Sequence, residues 1–229
     1  LLGWLLELDR ELVDQVRERT QGNPLFALQI VGDWVTRGLL VPGPGGFQLR
    51  PGAHVEVPDD IHQLWYGRVE RLVSRFGLDA GYALEVAAAL GRTVESPEWV
   101  DACAELGRVV PEGLVDQMEK IGLARHTPGG WSFAHALLRE SLARHARTEM
   151  RWRDTHASCA RSLVRRHGRD AAQAERIARH FVDADQLEDA LEPLSVATEH
   201  RLAGQEHVQA GELVRLHDRL LDWLGAPPT

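Results

Sequence analysis

The stretch PEGLVDQMEKIGLARHTPGGWSF, residues 111–133, carries the signals that decide how this chain folds. Its first half predicts a helix, because Pro111 suits a helix start and the apolar residues recur at helical spacing: Leu114, Val115, Met118 and Ile121. Gly122 ends this helix, since glycine readily adopts the left-handed conformation that follows many helices. In the second half, two short apolar runs flank the turn Thr127-Pro128-Gly129-Gly130, which predicts a β-hairpin.

Three more helices are predicted ahead of this stretch. Asp59 and Asp60 open the first, whose apolar stripe has helical spacing: Ile61, Leu64, Trp65, Val69, Leu72, Val73 and Phe76. Gly91 stops the second helix, and Ser96-Pro97 opens the third. Several helices followed by a hairpin is the order of elements in a winged-helix domain. We therefore predict a winged-helix-type domain over residues 59–149.

Residues 1–58 are predicted to form a helical segment that ends in another hairpin. A helix over residues 10–21 stops at Gly22, and a second helix follows at once. Asn23 is a good N-cap for this second helix. Pro24 suits its first position, where the missing N–H costs nothing.

The two predicted hairpins resemble each other in sequence. Gly38-Leu39-Leu40 leads to Gly45-Gly46-Phe47-Gln48-Leu49, while Gly122-Leu123-Ala124 leads to Gly129-Gly130-Trp131-Ser132-Phe133. Both patterns predict a wing-like hairpin that lies against the preceding helix. Coincidence between two glycine-rich turns is the alternative. A linker over residues 51–58 follows the first hairpin.

From His135 onward the sequence predicts helices alone. Four sets of residues each share one helical face: Trp152, His156, Cys159 and Leu163; Ala174, Ile177, Ala178 and Phe181; Leu187, Ala190, Leu191 and Leu194; Leu213, Leu216, Leu220 and Leu224. Short helices with alanine at their crossings indicate a stack of helical hairpins similar to tetratricopeptide (TPR) repeats over residues 150–229. The predicted fold class is mainly α: a winged-helix-type domain with short β-hairpins, followed by a TPR-like helical-hairpin stack.

The last predicted helix has no repeat after it to cover its apolar face. We expect one of three arrangements for this apolar face: it packs back on the neighbouring helix, it is covered by a further repeat, or it mediates self-association. The stack as a whole predicts a platform that binds a protein or a small-molecule effector.

Composition bounds the class of protein. The chain has 229 residues, of which 44% are hydrophobic and 26% charged, as in ordinary globular proteins. It has no apolar run near the roughly 20 residues that cross a bilayer, so we expect no membrane partner. Its net charge of −8 opposes nonspecific attraction to nucleic acid.

Two cysteines without metal-ligand spacing favour a reduced, cytoplasmic protein. The start at Leu1 rather than Met suggests an internal fragment or a processed product.

Several ordered motifs together resemble the region that follows the ATPase core in bacterial signal-transduction ATPases with numerous domains. These motifs are Arg17-x-x-Thr20-x-Gly22-Asn23-Pro24-Leu25-Phe26, Arg37-Gly38-Leu39-Leu40 with its hairpin, Val57-Pro58-Asp59 before a long helix, Leu84-Glu85-Val86-Ala87-Ala88-Ala89-Leu90-Gly91-Arg92, and Phe133-Ala134-His135-Ala136-Leu137-Leu138-Arg139-Glu140. Members of this family join an AAA-like nucleotide-binding module to a winged helix and helical repeats. Some carry a DNA-binding tail, and others are fused to a protein kinase.

The resemblance implies that this chain is a regulatory and coupling segment rather than an enzyme. The sequence has no Gly-x-x-x-x-Gly-Lys-[Ser/Thr] loop to hold phosphates. The partner implied is therefore an ATPase core upstream of Leu1, which would bind ATP or ADP, while this chain alone binds no cofactor.

The resemblance also implies three nucleotide-contacting residues. Asn23 and Pro24 match the family's lid-helix turn, where the proline approaches the adenine, and helix N-termini also favour anions. His135 matches a winged-helix histidine that contacts the nucleotide phosphate. The alternatives are a plain capped helix start at Asn23 and Pro24, and a neutral histidine without a special role at His135.

Other readings of the sequence are weaker. The eleven histidines show no zinc-ligand spacing, and Ser132 has no Gly-x-Ser-x-Gly elbow to make it a hydrolase nucleophile. An arginine-rich segment, residues 144–169, could touch DNA, but interleaved acids favour an ion-paired surface.

The sequence leaves two functions open besides the coupling segment. One is a winged-helix DNA-binding regulator. Direct DNA contact is disfavoured, because the helix before the second hairpin carries Glu112, Asp116 and Glu119 against one lysine. The other is a helical-repeat protein-interaction scaffold with no link to a nucleotide.

Overall fold

The computed structural model describes residues 8–51 and 61–225. The protein is mainly helical, with 70% helix, 11 helices and two small antiparallel sheets in the described residues. The mainly α fold class is therefore confirmed. The chain divides into two compact units, Leu1–Arg71 and Leu72–Thr229.

The first unit begins with two helices, α1 (Arg10–Thr20) and α2 (Pro24–Thr36). Asp9 caps α1, because its side chain accepts a hydrogen bond from the backbone N–H of Leu12 at 2.8 Å. The predicted hairpin follows as β1 (Leu40–Gly43) and β2 (Gly46–Leu49), paired antiparallel with Leu40 opposite Leu49.

The core of the first unit lies between α1, α2 and the start of α3 (Ile61–Phe76). Its buried residues are Leu8, Leu12, Val16, Phe26, Ala27, Ile30, Val31, Trp34 and Leu64. The predicted linker, apart from Pro51, and the Asp59-Asp60 opening of α3 lie outside the described residues.

The second unit starts with an alternation of helices and strands. In chain order these are α4 (Leu78–Leu90), β3 (Thr93–Glu95), α5 (Ser96–Glu105), α6 (Leu114–Lys120), β4 (Ala124–Thr127) and β5 (Gly130–Phe133). The three strands form one antiparallel sheet in the order β3-β5-β4. The predicted hairpin is thus present as β4 and β5, whereas α6 begins after Gly113 rather than at Pro111.

Strand β3 was not predicted, because three residues are too few for a visible strand pattern. It forms by pairing with the hairpin, Val94 lying opposite Trp131. The pairing explains a glycine of the hairpin turn: a Cβ added at Gly130 would lie 2.0 Å from the backbone oxygen of Val94. Only glycine lets the two strands approach this closely.

Three aromatic residues fill the space between this sheet and α5. Trp99 and Trp131 meet edge to face with ring centroids 5.2 Å apart, and Trp131 meets Phe133 in the same way at 4.8 Å. The indole N–H of Trp99 donates to the backbone oxygen of Ala83 at 2.6 Å. All three side chains are almost fully buried, so they anchor the sheet to α4 and α5.

After Phe133 the described residues form five helices and no strand. They are α7 (Ala136–Thr148), α8 (Trp152–His167), α9 (Ala171–Asp183), α10 (Leu187–Ala203) and α11 (His207–Leu224). From α8 onward each helix packs on the next. The predicted inner faces are largely confirmed: Cys159, Leu163, Ala174, Ile177, Ala178, Phe181, Ala190, Leu194, Leu213 and Leu220 are buried.

One turn geometry recurs between these helices. The middle residues of turns 149–151, 184–186 and 204–206 are Met150, Asp185 and Gln205, with φ of 58°, 62° and 61°. In each turn the last backbone N–H bonds a carbonyl five residues earlier, as in Arg151 to Ala146. This is the Schellman pattern, which satisfies carbonyls left open at a helix end.

Within the described ranges, no helix combines the length and the apolarity needed to cross a membrane.

Candidate functional site

Asn23 and Pro24 form a regular capped helix start. The side-chain oxygen of Asn23 accepts hydrogen bonds from the backbone N–H groups of Leu25 and Phe26 at 3.1 and 3.2 Å. Pro24 is the first residue of α2. The predicted capping is confirmed, and both residues are exposed on the first unit. Their predicted contact with a nucleotide stays a prediction.

His135 belongs to the second unit and occupies the N-cap position of α7. Its backbone is extended, with φ −133° and ψ 129°, and its side chain makes no capping hydrogen bond to the helix. The residue is half-buried. Its predicted phosphate contact also stays a prediction.

An open cleft of about 350 Å³ lies in the second unit, bordered by α4, α8, α9 and α10. This volume is in the range of small-molecule sites. Most of its lining is polar or charged: Ala89, His156, Ala172, Glu175, Arg176, Arg179, His180, Asp183 and Arg201. The sequence predicted no binding role for any of these residues.

Two buried histidines face each other at the base of this cleft. Nδ1 of His156 lies 3.1 Å from Nδ1 of His180, so one ring donates the hydrogen bond and the other accepts it. Nδ1 of His156 also lies 3.4 Å from a carboxylate oxygen of Asp183, which can only accept. The nearby carboxylate favours a proton on Nδ1 of His156, which then donates to Nδ1 of His180. Its other nitrogen, Nε2, is buried and has no hydrogen-bond partner among the described residues.

Both imidazoles are held in the neutral form. Burial lowers the pKa of His156 to about 4, Arg147 adds to this lowering, and Asp183 opposes it. Burial, His156 and Arg176 together lower the pKa of His180 to about 3. Charging either ring would leave a cation in a site with little solvent, which is why the neutral forms prevail.

The rim of the cleft is organised around one carboxylate. Glu175 accepts two hydrogen bonds from Arg179 at 3.1 and 2.7 Å, and two from Arg201 at 3.1 and 2.7 Å. Burial opposes ionisation of this carboxyl, but the two guanidiniums hold the pKa of Glu175 below its usual value. Glu175 therefore ties α9 to α10 at the mouth of the cleft.

Arg176 connects the cleft to α5. Its guanidinium donates two hydrogen bonds, of 3.1 and 2.7 Å, to the carboxylate of Glu98. Nε2 of His167 lies 2.8 Å from the same carboxylate. Glu98 is buried, so this contact replaces the water that a carboxylate would otherwise keep.

Ion pairs extend along the face that α5 and α8 share. Glu105 pairs with Arg161 and Arg165, and Asp101 pairs with Arg166. The arginine-rich segment is therefore ion-paired here, as the sequence favoured. The acidic partners, however, come largely from α5 rather than from the acids interleaved along the segment itself.

Two cysteines lie near this interface and are buried as free thiols. Burial raises the pKa of Cys103 to about 12, with Asp79 adding to the effect. Burial also raises the pKa of Cys159. Thiols with raised pKa values are poor nucleophiles and poor metal ligands, so we assign them to packing.

The polar groups that line the cleft are two neutral imidazoles, Asp183, and the paired charges of Glu175, Arg176, Arg179 and Arg201. In the described part of the chain, no group of three or more His, Cys, Asp or Glu side chains is placed to hold a metal ion.

The sequence did not predict the contact between His156 and His180, because the two residues lie 24 positions apart in the chain. A usable signal was present: each histidine sits on the apolar face of its helix, where neighbouring positions are buried. A polar residue on such a face needs a partner, and the partner was the other histidine.

Comparison of the chain with protein-family profiles, curated proteins and solved structures finds no significant match.

Proposed function

We propose that this chain is the regulatory and coupling segment of a signal-transduction ATPase of the kind its motifs resemble. In this proposal residues 1–58 form the lid segment, residues 59–149 a winged-helix domain, and residues 150–229 a TPR-like effector platform. The protein acts in the cytoplasm, next to an upstream core that binds ATP or ADP.

The order of elements in the second unit supports the winged-helix part of the proposal. A strand between the first two helices joins the later hairpin in one sheet, with β5 in the middle. This order of strands supports a winged-helix arrangement. Two of the recurring Schellman turns, 184–186 and 204–206, join helices of the repeat part and support it, because similar turns place successive helices in similar relative positions.

The single observation that carries the coupling role is the placement of Arg176. This residue lines the cleft and also binds the buried carboxylate of Glu98 on α5. A ligand that entered the cleft and accepted hydrogen bonds from Arg176 would weaken the contact between Arg176 and Glu98. Occupancy of the platform would thereby bias the packing of the winged-helix part, which is what a two-state coupling element needs.

Nucleotide contact is proposed for Asn23, Pro24 and His135. Helix N-termini favour anions, and Asn23 and Pro24 form an exposed N-terminus of α2. The experiment uses the protein that contains the ATPase core. Nucleotide affinity and exchange are measured for Pro24→Ala and His135→Ala, with Pro44→Ala and His126→Ala as controls on exposed hairpin positions.

The expected result is a change of about 1–3 kcal/mol in nucleotide coupling for the two site variants. The controls should leave it unchanged. Equal nucleotide exchange in all four variants, with folding intact, would reject the nucleotide role. Sequence-specific binding of duplex DNA by the chain would instead favour a DNA-binding regulator.

A further inference from the structure

The first unit gathers three arginines around one carboxylate. Asp33 lies in the last turn of α2, Arg37 follows this helix, and Arg68 and Arg71 lie one turn apart on α3. The guanidiniums of Arg37, Arg68 and Arg71 approach the Asp33 carboxylate to 3.2, 3.5 and 2.7 Å. All four residues belong to the same compact unit.

The charges in this cluster do not balance. Among the described residues, the ion pairs of these three arginines all go to Asp33. The C-terminal end of α2 adds a negative charge of only about half a unit. Counted over the described residues, the cluster therefore keeps more than one unit of positive charge. Burial lowers the pKa of Arg68, and the neighbouring charge of Arg71 adds to this lowering while Asp33 opposes it.

Arg68 is fixed by further contacts, whereas Arg37 and Arg71 are partly exposed. Arg68 is held by the backbone oxygen of Gln29 at 3.3 Å and lies over the ring of Trp65 at 4.5 Å. The Asp33 side chain is only 5% exposed, whereas Arg37 and Arg71 are 39% and 50% exposed. Each of these two arginines contacts Asp33 through one terminal nitrogen, and a guanidinium has five N–H donors. Among the described residues, other N–H donors of Arg37 and Arg71 therefore remain for a ligand.

We propose that Arg37, Arg68 and Arg71 form a binding site for a phosphate group. The surplus positive charge matches the charge of phosphate near neutral pH, which is about −1.5 to −2. Guanidinium forks also match the spacing of phosphate oxygens. Asp33 aligns the arginines but does not neutralise them. This inference goes beyond the proposed function, which assigns nucleotide contact to Asn23, Pro24 and His135.

The test titrates inorganic phosphate into the purified chain at constant ionic strength, followed by phosphorus NMR and by isothermal titration calorimetry. Arg71→Gln should weaken phosphate binding about tenfold, because it removes charge-assisted hydrogen bonds. Asp33→Asn should strengthen binding, because it removes the one opposing charge. The matched control is Arg10→Gln, at an exposed position of the same unit outside the cluster.

Two opposite shifts, with no change for Arg10→Gln, would support the site. A titration of glycerol phosphate identifies the source: tighter binding than inorganic phosphate indicates a phosphate ester, and weaker binding indicates the free ion. If Asp33→Asn fails to fold, Arg37→Gln takes its place and should weaken binding as Arg71→Gln does. Absence of saturable binding, or equal weakening by Arg10→Gln and Arg71→Gln, would overturn the proposal.

Discussion

The carboxylate of Glu98 and the guanidinium of Arg176 form a two-point contact, with hydrogen bonds of 3.1 and 2.7 Å. The two residues lie 78 positions apart in the chain, on α5 and α9. Glu98 is only 7% exposed, while Arg176 reaches the cleft and is 32% exposed. The contact therefore joins the helical stack to the part of the unit that carries the three-stranded sheet.

Loss of this carboxylate should destabilise the second unit. Glu98→Gln leaves Arg176 and His167 without their common anion, and we expect the free energy of unfolding to fall by about 2 kcal/mol. The control is Asp101→Asn on the same helix, where both partners are more than a third exposed. That change should cost about 0.5 kcal/mol or less. Urea unfolding of both variants measures this, and equal losses would contradict the special role of Glu98.

Stability should fall as pH drops below about 6.5, because the two buried histidines stay neutral in the folded state. Their pKa values are about 4 for His156 and about 3 for His180, whereas an unfolded histidine titrates near 6.5. Between these values the unfolded state binds more protons, so acid favours unfolding. Each histidine contributes at most about 1.4 kcal/mol per pH unit, and the full stabilisation is present above pH 6.5.

Urea unfolding at pH 7.5, 6.5 and 5.5 measures this slope. His180→Asn should reduce it by about half, since one of the two titrating groups is removed. His126→Asn, at an exposed position on β4, should leave the slope unchanged. An unaltered slope in His180→Asn would show that the acid sensitivity has another source.

Met150 should be a site where glycine stabilises the protein. Its φ is 58°, a left-handed conformation that is strained for any residue with a Cβ. Its side chain is 86% exposed, so a substitution removes few packing contacts. We expect Met150→Gly to raise the free energy of unfolding by about 0.5–1 kcal/mol. Asp185→Gly is the comparison, because aspartate tolerates this conformation better. A thermal melt in which Met150→Gly is the less stable of the two would contradict this account.

The purified chain should not hydrolyse ATP. The sequence contains no Gly-x-x-x-x-Gly-Lys-[Ser/Thr] loop, and phosphoryl transfer depends on such positioning groups together with magnesium. Phosphate release is measured with Mg²⁺ and ATP against a buffer blank and against a mock purification from cells without the chain. Magnesium-dependent release above both controls would reject the non-catalytic assignment.

Much of the secondary structure could be read from local signals. The Asn23 cap, the two glycine-containing hairpins and the buried faces of α8 and α9 all appear where the sequence predicted them. These features depend on residues close in sequence, because capping, turn geometry and helical periodicity act over a few positions. Strand β3 could not be predicted from such local signals, because it forms by pairing with the distant strand β5.

The sequence by itself determined a mainly helical chain, its order of helices and hairpins, and the mixed charge of its arginine-rich segment. Only the tertiary structure decided which charges and which histidines meet. His156 lies 24 residues from His180, Asp33 lies 38 from Arg71, and Glu98 lies 78 from Arg176. Electrostatic and hydrogen-bonding energies depend on distances of a few ångströms. Such distances between remote residues are set by the packing of whole helices, which no local pattern records.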